Sequence, residues 1–422
     1  MPKITPFKAI RPKKDVAARV AALPYDVYNR KEATAEVLKE PLSFLTIDRA
    51  ETAFPESVST YDERVYQRAK ELLEAKIKNG TFIIEERACY YLYELLMPNR
   101  PDGAPSHTQT GIVACSAVSD YYDDLIKKHE NTRPDKELDR INHIDITNAH
   151  TGPIFMAYRS SELINDIVSK EKETPCEYDF VSDDGIRHRV WVIDESNTID
   201  ELEQAFANIP AAYIADGHHR ASSAVKVAEK RKADNPHHTG NEEYNRYLAV
   251  FFPDDQLQIL PYNRVVADLN GLTRDELVSK IEEQGFTARY LGKEAYQPEQ
   301  KGCFGMYLRD GWYRLRAKPE LIIDDPVKGL DVAILQDHLL TPVLGIMDPR
   351  TDKRVDFVGG IRGLCELEKR VTTDMVAAFS MYATSIEELL SVADAGLLMP
   401  PKSTWFEPKL RCGLFIHSLL TL

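Results

Sequence analysis

Short apolar runs of strand length alternate with amphipathic stretches of helical period along the whole chain. This pattern predicts an α+β protein with mixed, largely antiparallel sheets and flanking helices. Residues 62–79 carry apolar positions at helical spacing and stop at Gly80, a residue suited to the left-handed turn after a helix. Residues 81–86 and 89–97 are rich in β-branched and aromatic side chains and read as strands. A polar loop with Pro98, Pro101, Gly103 and Pro105 leads to a third strand, 111–119. Two hairpins are predicted, 178–194 around Asp183-Asp-Gly185 and 301–317 around Arg309-Asp-Gly311, because Asp-Gly accommodates the positive φ angles of tight turns. Thr198 with Glu201, Thr273 with Glu276 and Ser385 with Glu388 are capping-box pairs that predict helix starts. Residues 233–243 have a disorder-like composition, and the His237-His238 pair there reads as surface loop in preference to a metal site. A soft boundary near residue 265 separates a core α/β region, 1–265, from a C-terminal α+β region, 266–422, unless the two form one intertwined unit.

Composition narrows the partners. The 422 residues are 43% hydrophobic, enough for a sizeable core, and 53 basic against 67 acidic side chains give a net charge of −14. A general affinity for nucleic acid or an anionic membrane is therefore not expected, and any anionic ligand must be held by a local basic pocket. The six cysteines form no CxxC pair and read as reduced core thiols. Met1-Pro-Lys-Ile-Thr5 lacks an apolar signal core and no run is long enough to span a bilayer, so the expected compartment is the cytoplasm. The oligomeric state is left open, a homodimer included.

One junction carries chemistry. Residues 211–215 form a strand-like run and the sequence from Arg220 is helical in propensity, so Asp216-Gly-His-His lies where a strand turns into a helix. Backbone N–H groups and the positive end of the helix dipole meet there, and Gly217 lets a ligand approach the backbone. Arg220 can fork onto phosphate oxygens, His218 and His219 can donate hydrogen bonds, and Ser222 and Ser223 lie in the first helical turn. Asp216 would repel an anion unless it binds Mg²⁺ or accepts a proton from an attacking hydroxyl. That combination suits phosphoryl transfer, with Asp216 as the metal ligand. The alternatives are an Asp-capped surface helix with incidental histidines, and a His-His metal site, which is disfavoured because adjacent helix residues do not share a face.

Two further stretches are basic. Residues 127–143 are dense in both charge signs, with Lys136 and Arg140 four apart and Arg133 four before Glu137. They read either as a basic edge for phosphates or as a solvated, salt-bridged helix. Residues 399–413 place Lys402, Ser403, Thr404, Lys409 and Arg411 in a Pro-punctuated loop, suited to a binding lid or to a rigid connector.

Pro24-Tyr-Asp-Val27, Pro41-Leu-Ser-Phe44, His129-Glu130, Lys136-Glu-Leu-Asp-Arg140, Ala215-Asp-Gly-His-His-Arg220, Pro261-Tyr-Asn-Arg264 and Pro400-Pro-Lys-Ser-Thr-Trp-Phe406 together resemble, along nearly the whole chain, the bacterial family of domain of unknown function 1015. Asp216-Gly-His-His-Arg220 is also similar to the motif of the free serine kinases of the ParB and sulfiredoxin-like superfamily. That likeness implies a ParB/sulfiredoxin-like core around the motif, with ATP or ADP and Mg²⁺ as cofactors and L-serine or O-phosphoserine as substrate. It assigns Asp216 as metal ligand or proton acceptor and Gly217, His218, His219 and Arg220 to phosphates. Those kinases use a glutamate base from outside the motif, for which Glu130 is the candidate here and Asp26 the rival. The competing functions are a phosphoserine phosphatase, a ParB-type nucleotide switch acting on DNA, and a non-catalytic scaffold.

Overall fold

The computed structural model describes residues 1–99 and 105–421; Pro101 and Gly103 of the polar loop lie outside the described residues. The chain divides into two compact units, Met1–Leu257 with Pro408–Leu422, and Gln258–Glu407. Both are α+β.

The first unit is built on a nine-stranded sheet. Its strands run in the spatial order Ile126–Lys127, Ala212–Asp216, Ile154–Tyr158, Arg246–Pro253, His107–Ala117, Tyr90–Met97, Arg187–Ile193 and Tyr178–Val181. Ile4–Thr5 pairs with the end of His107–Ala117 that Tyr90–Met97 leaves uncovered. Ile126–Lys127 with Ala212–Asp216, and Ile154–Tyr158 with Arg246–Pro253, are parallel; the other pairs are antiparallel. Tyr90–Met97 is an almost unbroken apolar run because it is buried on both faces. The helix His218–Asp234 lays Ala221, Ala224, Val225 and Ala228 into the core that holds Ile214 and Met156. These small side chains let the helix approach the sheet closely. A smaller sheet, in the order Phe82–Ile84, Ala9–Pro12, Ile416–Ser418 and Ala149–His150, ties the end of the chain into this unit. Phe44 and Phe82 pack edge to face beneath it.

The second unit has a six-stranded antiparallel sheet, Phe286–Gly292, Gly311–Ala317, Cys303–Leu308, Ala377–Ser380, Tyr262–Val266 and Val355–Gly359, over a core around Trp312, Val265 and Leu367. Gln258–Leu260 pairs with Trp405–Glu407 as a separate ribbon.

The periodicity locates most elements. The helix Glu63–Lys78 ends just before Gly80 at φ 75°, and both Asp-Gly hairpins form, with Gly185 at φ 81°. The Thr273 and Ser385 capping boxes are complete. Thr198 is a correction: the helix starts earlier, at Ser196, and Thr198 sits inside it with its hydroxyl donating to Glu171 at 3.3 Å. A hydroxyl and an acid three residues apart also occur within helices, so the pair does not fix the start. Residues 233–243 are a second correction. The helix runs on to Asp234, and the following turn is held by His237 N–H to Asn235 at 2.9 Å and Thr239 N–H to Glu242 at 2.6 Å.

Among the described residues no helix is long and apolar enough to cross a membrane. The cysteines are unpaired; Cys89, Cys115, Cys303 and Cys412 are buried and Cys365 is exposed.

Candidate functional site

The motif junction is shaped by its backbone. Ala212–Asp216 loses register against Ile154–Tyr158 between Ile214 and Asp216, and such a bulge re-aims the side chain that follows it. Gly217 then turns at φ 99°, and the helix begins at His218 with no side-chain cap. Its first amide N–H groups therefore keep their positive end at the junction. A Cβ on Gly217 would find its nearest neighbours 3.7 Å away, on Ile154, so conformation and not space calls for glycine. Gly217→Ala is expected to lower stability by about 1–2 kcal/mol through the left-handed backbone alone, measurable by denaturant unfolding.

Asp216 accepts a hydrogen bond from Lys409 Nζ at 2.5 Å. Desolvation opposes its ionisation, but the Lys409 ammonium, followed by the Arg220 guanidinium, more than offsets this and holds the carboxyl well below the usual range. Lys409 comes from the returning segment Pro408–Leu422. Arg220 donates to the Pro153 carbonyl at 2.9 Å, lies 3.9 Å from Asp26 and has its guanidinium 5.7 Å from the Tyr25 ring centroid. Gly152 leaves room for this arrangement: a Cβ there would stand 2.9 Å from Cys412 Sγ and 3.5 Å from the Arg220 guanidinium.

The two motif histidines diverge, as adjacent helix residues must. His218 is buried against His129, edge to face at 4.5 Å between centroids, and its Nε2 accepts the His129 backbone N–H at 3.4 Å. An imidazole that accepts at Nε2 and stays neutral carries its proton on Nδ1, which lies 3.9 Å from Glu130 Oε2. Burial keeps His218 neutral, helped by His129. His219 turns the other way and accepts the Arg133 N–H at Nε2, at 2.9 Å. The donor atoms of His129, Glu130 and His218 lie within 4.8 Å of one another, a metal-compatible grouping. The His129 N–H directed at His218 Nε2 leaves Nδ1–H facing Glu130 and no lone pair of His218 free for a cation, and two nitrogens in three donors do not suit Mg²⁺.

The remaining candidates spread out. Ser222 and Ser223 face the helix Pro134–Thr147: Ser222 donates to the Glu137 carboxylate and Ser223 to the Glu137 carbonyl at 3.0 Å, while Lys226 reaches the same carboxylate at 2.6 Å. Both hydroxyls are thus spent on packing the two helices. Arg133 pairs with Asp135 at 3.0 Å, and Lys136 lies 3.5 Å from the Tyr61 hydroxyl. Arg140 is buried, held by Asp139 at 2.8 Å and set 3.9 Å from the Tyr25 ring centroid. Lys402, Ser403 and Thr404 belong to the second unit, where Ser403 Oγ donates to the Pro400 carbonyl at 2.6 Å.

Residues that pattern reading passed over also gather here. His129 and Tyr25 lie within the motifs His129-Glu130 and Pro24-Tyr-Asp-Val27, where their acidic neighbours Glu130 and Asp26 are the residues whose type points to proton transfer. Asp48, Arg140, His143, Thr151, Tyr25 and Arg220 line a cavity of about 20 Å³, room for a water molecule. Thr151 Oγ1 donates to Asp48 at 2.8 Å, and His143 Nε2 stands 3.6 Å from the same oxygen.

These buried rings make stability pH-dependent. Burial lowers His129 to about 4, and pushes His143 and His218 well below their ordinary value. The unfolded chain takes up those protons near pH 6.5, so between about 6.5 and 4 it binds more protons than the folded chain, and stability falls as pH drops. Asp48, Asp120 and Asp331, raised by burial, work the other way, but burial also lowers His150 and His188, so five histidines stand against three carboxyls. Urea midpoints at pH 7 and pH 5 are expected to show the loss.

Comparison with known proteins adds a family. Among solved structures, the free serine kinase in complex with AMP is 13% identical, matching 69% of this chain and 89% of that chain at a TM-score of 0.35. SbnI with C-terminal truncation from Staphylococcus aureus is 12% identical, over 72% and 87%, at 0.37. A conserved hypothetical protein from Pyrococcus furiosus is 13% identical, over 69% and 91%, at 0.33. Likenesses this loose carry no argument about activity. No curated protein matches the chain. The model of the DUF1015 family, proteins of unknown function, matches residues 4–333, and the chain belongs to that family.

Proposed function

We propose that the Asp216–Arg220 junction is a phosphoryl-transfer centre that moves a phosphoryl group between a nucleotide, ATP or ADP, and a small hydroxyl compound. The observation that carries this reading is an ionised Asp216 pinned by Lys409 at the uncapped start of a helix, with Arg220 beside it. Phosphoryl transfer needs positioning and charge neutralisation more than covalent chemistry, and this junction supplies both. Lys409, Arg220 and the helix N–H groups would hold phosphate oxygens.

Asp216 is too acidic to serve well as a base, since an efficient base has a pKa near the working pH. Glu130 is the better proton acceptor, with His218 Nδ1–H orienting its carboxylate. In the forward direction the acceptor oxygen forms a bond to the transferred phosphorus, the bond from that phosphorus to the nucleotide's bridging oxygen breaks with its electrons, and the hydroxyl proton passes to Glu130. Mg²⁺ prefers carboxylate and phosphate oxygens, so Asp216 together with the nucleotide's phosphates would hold it, and it would supply further charge neutralisation.

L-serine and O-phosphoserine as the hydroxyl pair rest on the similarity of Asp216-Gly-His-His-Arg220 to the free serine kinase motif. Incubating the protein with O-phosphoserine, with and without ADP or AMP, separates this reading from a phosphatase. The transferase converts ADP to ATP or AMP to ADP, and leaves O-phosphoserine intact when nucleotide is withheld. Free phosphate released at equal rates without nucleotide would overturn it.

A further inference from the structure

The second unit holds a buried cation that pairs with no carboxylate of the described residues. Arg264, in the strand Tyr262–Val266, is 4% exposed, and no carboxylate among the described residues pairs with it. Its Nη1 donates to the Tyr262 carbonyl and its Nη2 to the Lys402 carbonyl at 3.2 Å, while its guanidinium lies 5.4 Å from the Phe357 ring centroid. A guanidinium has five N–H donors, and these bonds use two. Its Nε, which has no partner among the described residues, is not one of their sealed atoms and so keeps a path to the surface. Burial draws the group down to about 10, with only Tyr262 opposing. An isolated charge is costly to bury unless a ligand supplies the opposite one.

The segment that meets Arg264 is itself unusual. Lys402 takes a left-handed φ of 58°, a conformation a lysine rarely adopts and one that clusters at binding sites. The loop is fixed around it by Ser403 Oγ donating to the Pro400 carbonyl at 2.6 Å and Thr384 Oγ1 donating to the Ser403 carbonyl at 3.0 Å. Lys402 is exposed, with its Nζ 5.5 Å from the centroid of Tyr262, whose ring packs edge to face with Trp405. The Arg264 guanidinium thus reaches the backbone of Lys402, and the Lys402 ammonium lies beside Tyr262, whose carbonyl Arg264 also holds, although the phosphoryl-transfer reading uses neither cation.

We propose that Gln258–Glu407 carries an oxyanion seat of its own, formed by Arg264 and Lys402, that takes a phosphate group. The planar fork of Arg264 matches two oxygens of a phosphate, and Lys402 adds a second positive charge that a singly charged carboxylate would not need. The seat stands independently of the chemistry at Asp216.

Calorimetric titration of the full chain with inorganic phosphate tests it, with acetate as the carboxylate control. Lys402→Ala alters an exposed side chain and is expected to fold; Arg264→Lys keeps the charge and removes the fork. Each is expected to weaken phosphate binding at least fivefold, with circular dichroism verifying the fold. A fivefold loss in either folded variant supports the seat. It is overturned if the wild type binds no phosphate, if both folded variants bind within fivefold of wild type, or if acetate binds as tightly as phosphate. Lys409→Ala reports any phosphate held at Asp216–Arg220, so loss confined to that variant counts against this seat and for the other site.

Discussion

Asp216→Asn is expected to lower phosphoryl transfer on the order of 100- to 1,000-fold, the scale of removing one preorganised electrostatic contact from a transition state. The substitution keeps the shape of the side chain and deletes its charge. Lys409, 2.5 Å away, then loses the carboxylate that aims its ammonium, and any cation keeps only a neutral amide oxygen in place of an anionic one. Asp216 is partly exposed at the end of its strand, so the fold is expected to survive. The check is kcat with nucleotide and acceptor, alongside circular dichroism. A defect confined to KM would mean that Asp216 helps binding alone and does not serve the transfer step.

Glu130→Gln is expected to cost between about 100- and 10,000-fold in kcat, the range for a lost general base. It is also expected to flatten the acid limb of the pH–rate profile, because the group whose deprotonation that limb reports is gone. The reason to favour Glu130 is local: His218 is fixed by the His129 N–H so that Nδ1–H faces the Glu130 carboxylate. Asp26, 3.9 Å from Arg220, is the control. Asp26→Asn is expected to leave the acid limb in place, and its disappearance in that variant instead would move the base to Asp26.

Much of the site's local structure was legible in the sequence because it depends on neighbours in the chain. The strand-to-helix turn at Gly217 follows from an apolar run, a glycine and a helical stretch in succession, and the structure forms it. The Asp-Gly hairpins and two capping boxes are equally local. What spacing does not encode is which distant residue fills a given face. Lys409 reaches Asp216 across 193 positions because the chain's end returns to the first unit as a strand between Ala9–Pro12 and Ala149–His150. Ser222 and Ser223 have the composition of a phosphate site, yet they point at Glu137 because a helix packs there. Nothing in the spacing marks His129, and only the folded chain sets its ring against His218. Arg140 shows the same limit: its spacing fits a basic edge or a solvated, salt-bridged helix, whereas the side chain is buried beside Tyr25.

The most direct test follows ³¹P signals during incubation of the full chain with Mg²⁺, L-serine and ATP or ADP, beside folded Asp216→Asn. The account predicts a new phosphomonoester resonance that grows with wild type as the nucleotide's terminal phosphate signal declines, and that is nearly absent with the variant. Failure of the folded wild type to transfer from either nucleotide to L-serine or to any other small hydroxyl compound, or equal transfer by Asp216→Asn, would contradict it.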